Sequence, residues 1–92
     1  MSQSFDHDKT GYARWVKAHR EDGFIVIIDI RPHGFPPKLH RAKYKCVTAP
    51  DRIKSLIHNY RQDCSTDRRE LEMKYASTLM YCLWCFPEGH DA

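Results

Sequence analysis

Residues 23–31 read GFIVIIDIR. Phe24, Val26, Ile28 and Ile30 alternate with Ile25, Ile27 and Asp29. Both sets are apolar except for Asp29, and most members are β-branched. This pattern predicts a central strand covered on both faces or nearly so.

Working outward, the stretch before it, KTGYARWVKAHRED, sets Tyr12, Trp15, Val16 and His19 at i, i+3, i+4 and i+7. That spacing predicts one face of a helix over 9–21, with Gly23 free to take a left-handed C-terminal cap. After the strand, RPHGFPP holds three prolines and a glycine, which makes it a loop. LHRAKYKCV then predicts a second strand over 39–47, with His40, Ala42, Tyr44 and Cys46 on one face and Arg41, Lys43 and Lys45 on the other. A second helix is expected over 50–62: Thr48 can cap it, Pro50 and Asp51 suit its first turn, and Ile53, Leu56, Ile57 and Tyr60 form its stripe. Within 67–86, RELEMKYAS alternates as a strand does, although Glu, Leu, Met and Lys favour helix. TLMYCLWCF is apolar on both faces, so a two-stranded hairpin is expected there. The resulting expectation is a single α+β domain over 1–92. It has an antiparallel sheet of about four strands, with two α-helices packed on one face.

Ninety-two residues suffice for one modest core. Apolar content of 41% with 12% aromatics is too high for intrinsic disorder. No apolar run approaches the roughly 18 residues that span a bilayer. The opening MSQSFDHDKTG lacks a basic segment followed by an apolar one, so a cytoplasmic protein with no membrane partner is expected.

Charge is distributed unevenly. The net charge is +3, yet residues 31–50 carry Arg31, Lys38, Arg41, Lys43 and Lys45 with no acid among them. A local cationic excess of this kind predicts a binding face for phosphate or carboxylate arrays. Phe35 and Tyr44 add possible stacking groups, and an edge strand protected by lysines is the simpler alternative. The expected partner is a nucleic acid or a multi-subunit nucleoprotein complex, not a small-molecule substrate.

Cys82 and Cys85 form C-x-x-C, and His40 with Cys46 would complete four candidate metal ligands. Two points weigh against zinc. An extended 39–47 would hold His40 and Cys46 about 20 Å apart at ~3.3 Å per residue. C-x-x-C also needs a tight turn, whereas LMYCLWCF reads as continuous strand. The expectation is therefore cysteines that behave as small buried hydrophobes and no cofactor, with zinc as the alternative. No Gly-rich phosphate loop, nucleophile elbow or H-E-x-x-H occurs, and the six histidines are scattered, so no enzyme is expected.

The succession W-x-x-x-H (Trp15, His19), G-F (Gly23, Phe24), L-H-R-A (residues 39–42) and C-x-x-C is similar to that of some short bacterial reading frames. That similarity spans residues 15–85, departs at HRAKYKC and implies no activity. In size, α+β texture and concentrated basic strand the chain resembles, in type only, the small anti-CRISPR proteins of bacteriophages. The resemblance transfers no residue. It implies a non-enzymatic inhibitor that binds the protein and RNA surface of a crRNA-guided surveillance complex and blocks target-DNA binding. A DNA mimic would be acidic, which this chain is not. The alternative is a stand-alone nucleic-acid-binding domain with a regulatory role, with or without zinc.

Overall fold

A computed structural model describes residues 2–44 and 59–87. Strand β1 spans Gln3–Asp6, helix α1 Lys9–Ala18, β2 Phe24–Asp29, β3 Lys38–Arg41, β4 Tyr60–Ser65, helix α2 Arg68–Lys74 and β5 Met80–Tyr81. The five strands form one sheet in the order β1-β4-β2-β3-β5. β2 lies at its centre, antiparallel to both β4 and β3, as its two apolar faces require. β1 is antiparallel to β4, while β5 runs parallel to β3, so the α+β class holds with a mixed sheet of five strands.

Alternation along β2 sorts the core. Ile25 and Ile27 meet Tyr12, Trp15 and Val16 of α1, with Ala42 and Cys64. Val26, on the opposite side, joins Leu39, Leu71, Cys82, Cys85 and Phe86. The described helices therefore flank opposite faces of the sheet, not one face as expected. A strand apolar on both sides has to be covered on both sides.

α1 starts where the Asp8 side chain accepts a hydrogen bond from the Gly11 N–H at 2.9 Å. It ends earlier than expected, with His19 as its C-cap. Gly23 is not that cap. It serves by being small, because a Cβ there would stand 2.6 Å from the His19 carbonyl oxygen and 2.8 Å from the Trp15 ring.

Three expectations are corrected. The strand expected over 39–47 ends at Arg41, with Ala42 and Lys43 in a turn. The helix expected over 50–62 falls mostly outside the described residues, and its last positions belong to β4. In 67–86 there is no hairpin: the first half is α2, and β5 has only two residues. α2 wins over the strand reading because Asp67 caps it, accepting from the Arg69 and Glu70 N–H groups at 3.0 and 3.4 Å. Among the described residues no helix is long and apolar enough to cross a membrane.

Candidate functional site

The cations expected to form one face are placed differently from one another. Arg31 is engaged within the chain. Its Nε and Nη2 donate to the two carboxylate oxygens of Asp29 at 2.9 and 2.7 Å, and Nη2 also reaches the Tyr60 hydroxyl at 3.1 Å. Asp29 accepts further from the Arg31 and Phe35 backbone N–H groups. This bidentate pair holds the Asp29 carboxyl well below the usual carboxylate range and drives the Arg31 guanidinium up. The acid-free stretch starts two residues after this acid, which is why the partner was missed.

Arg41 is also engaged. Its guanidinium lies over the rings of Phe24 and Phe86, 5.4 and 4.4 Å from their centroids, and its Nε donates to the Cys85 carbonyl at 3.1 Å. Because β3 stops here, Arg41 and Lys43 do not share an extended face. Lys38 and Lys43 are exposed, and the Lys43 ammonium sits 5.6 Å from the Tyr44 ring centroid. Lys45 lies outside the described residues.

Beside the end of β3 an open cleft of about 370 Å³ is lined by Phe24, Arg41, Lys43, Tyr44 and Cys85, with Glu21 as its acid. The neighbouring residue Trp84 is 83% exposed and Leu83 is 71% exposed, an unusual display for two large apolar side chains. Phe35, in the loop between β2 and β3, is exposed as well.

The cysteines supply a second arrangement. After β5 the chain turns: the Cys85 and Phe86 N–H groups both donate to the Cys82 carbonyl, at 3.1 and 2.8 Å. This turn sends Cys82 and Cys85 inward while Leu83 and Trp84 point out. His40, on β3, is reached across the parallel pairing, in which the Cys82 N–H donates to the Leu39 carbonyl at 3.0 Å. The possible ligand atoms of His40, Cys82 and Cys85 all lie within 4.8 Å of one another, and the three residues are buried. Both sequence arguments against such a grouping therefore fail, since 39–47 is not one strand and C-x-x-C does form a tight turn. The structure unites three of the four candidate ligands; Cys46 lies outside the described residues. Cys64 is elsewhere, in the core beneath α1, where burial pushes its thiol pKa up.

One further titratable cluster was not legible in the sequence. Asp63 of β4, 1% exposed, accepts from the hydroxyls of Ser4 and Tyr75 and pairs with the Lys74 ammonium at 2.7 Å. Burial raises its pKa, but the bonds from Lys74, Ser4 and Tyr75 outweigh that and hold it below the ordinary value. Its donors come from β1 and from the end of α2, so the cluster ties distant segments together. The α2 start has a signal in hindsight: Asp67 followed three residues later by Glu70 is an N-terminal pattern.

The chain matches no protein-family model, no curated protein and no solved structure.

Proposed function

We propose that this chain is a non-enzymatic binding domain that occupies a protein and RNA surface of a nucleoprotein complex. A crRNA-guided surveillance complex, blocked before it captures target DNA, is the partner to test first. One observation carries the reading. The cleft at the end of β3 sets a lysine and a tyrosine beside Arg41, next to the exposed Leu83 and Trp84. Cations answer phosphate, and exposed aromatic rings stack on bases or fill apolar pockets of a protein surface. Asp29 and Asp63, the carboxylates that burial would otherwise perturb, are taken up by intramolecular donors, which speaks for a structural role.

Lys43, in the cleft, and the exposed Lys38, at the other end of β3, are the proposed contact residues. Arg31 and Arg41 act on the partner indirectly, by holding the loop between β2 and β3 and the C-terminal turn in place. Lys43→Glu with Tyr44→Ala is expected to weaken capture of a purified surveillance complex at least tenfold. The control, Arg14→Glu with Lys17→Glu on α1, should leave capture unchanged. Loss in the control but not in the cleft variant would move the binding face to the helix side. Tight binding of free RNA or DNA, with affinity falling steeply as salt rises, would replace this reading with a stand-alone nucleic-acid-binding domain.

A further inference from the structure

We infer that His40, Cys82 and Cys85 form a zinc site that staples the C-terminal turn to β3. The three donors come from β3 and from the turn after β5, two elements that already meet through a two-residue parallel pairing and the Arg41 contacts to Cys85 and Phe86. β5 has two residues, and the segment it begins carries Phe86, a fully buried member of the core on the α2 side. A two-residue edge strand is a weak anchor for that load.

The donor set fits zinc. Two thiolates and an imidazole are soft to borderline ligands, which select zinc over magnesium or calcium. Zinc bonds of about 2.3 Å to sulfur and about 2.0–2.1 Å to nitrogen, arranged tetrahedrally, separate the donor atoms by about 3.5–3.8 Å. The present separations reach at most 4.8 Å, so closure needs a shift of roughly 1 Å. The C-x-x-C turn already points both sulfurs to the same side, as metal-binding knuckles require. On binding, each thiol gives its proton to solvent and each sulfur donates an electron pair to the ion; His40 binds as the neutral ring. The two negative sulfurs cancel the charge of the ion, so a buried site carries no net charge. The fourth position is left to water. With zinc in place, the turn that displays Leu83 and Trp84 becomes rigid.

The site is tested on the natural sequence. Protein purified under reducing conditions should hold one zinc per chain by elemental analysis. After chelation, cobalt(II) should restore a stoichiometric site with tetrahedral ligand-field bands and thiolate charge transfer, and zinc should displace it. Alkylation of Cys82 and Cys85, followed by peptide mass spectrometry, should be at least tenfold slower with zinc than with chelator. His40→Ala and Cys82→Ser should each weaken cobalt binding by more than the roughly ten- to hundredfold that loss of an outer-shell partner costs. Absence of both zinc and a cobalt spectrum in the natural protein would overturn the inference. So would bound zinc that leaves the alkylation of Cys82 and Cys85 unchanged, since the ion would then sit elsewhere. Neither outcome depends on what the cleft binds.

Discussion

On the α1 face of the sheet, Tyr12, Trp15 and Val16 from one helix meet Ile25 and Ile27 from one strand. On the other face, α2 contributes a single buried residue, Leu71, and the rest arrives in short pieces. There Phe86 has the guanidinium groups of Arg41 and Arg68 within 4.4 and 4.8 Å of its ring centroid and meets Tyr81 edge-on. Asp63 gathers Ser4, Lys74 and Tyr75 on this side as well. One face is held by the periodic apolar stripe of one helix, the other by apolar residues gathered from several short segments together with directional contacts among them. The first kind of core tolerates conservative apolar exchange, whereas the second depends on particular partners.

The largest expected effect tests that contrast directly. Phe86→Ala should cost about 3–5 kcal/mol in urea unfolding. A double-mutant cycle of Phe86→Leu with Arg41→Ala should then show a coupling of about 0.5–2 kcal/mol. A coupling of zero would mean that this face rests on burial alone, like the first.

A smaller effect should come from the Asp63 cluster. Asp63→Asn is expected to cost about 1–3 kcal/mol, because Ser4, Lys74 and Tyr75 lose a buried charged acceptor. Its pH signature has two limbs. The folded-state pKa of Asp63 is lowered, so its contribution is present above the ordinary carboxylate range and is lost as pH falls through the folded value. Tyr75 moves the opposite way: burial, then the bond to the Asp63 carboxylate, push it up to about 12. Its contribution is complete below the ordinary tyrosine value of about 10 and is lost as pH rises from there through the folded value. Urea midpoints across the alkaline range should therefore fall faster in the natural protein than in Tyr75→Phe. Parallel curves would remove Tyr75 from the cluster.

The smallest effect is expected at the Asp29–Arg31 pair. Arg31→Lys keeps the charge and loses the two-pronged geometry at a half-exposed site. Thermal melting should report a smaller shift than either variant above. A larger loss would show that the loop between β2 and β3 depends on this pair as much as the α2 face depends on Phe86.

The same contrast explains what could be read from the sequence. β2 and the apolar stripe of α1 were legible because burial by long elements leaves a period in the chain. β4 was not: Gln62, Asp63 and Ser65 are buried polar residues on a strand next to the sheet centre, and no pattern announces such a strand. β1 has one apolar residue, Phe5, and exists through its pairing with β4. Charge alone does not separate surface cations from engaged ones: Arg31 is bound to Asp29, and Arg41 stacks on Phe24 and Phe86. Residue type points to the metal candidates, but whether they meet depends on where β3 stops and on the turn after β5. Ala42 and Lys43 form a turn inside a stretch whose side chains alternate well enough to continue as strand.

The pairing of Ser4 with Asp63 joins residues 59 positions apart in the chain. β4 stands between β1 and β2, so β1 has no strand partner, and β2 lacks one of its two, until β4 has been placed. Closing so long a span costs entropy before any contact repays it. Such a sheet should assemble in milliseconds or longer rather than microseconds, with the insertion of β4 as its slow event.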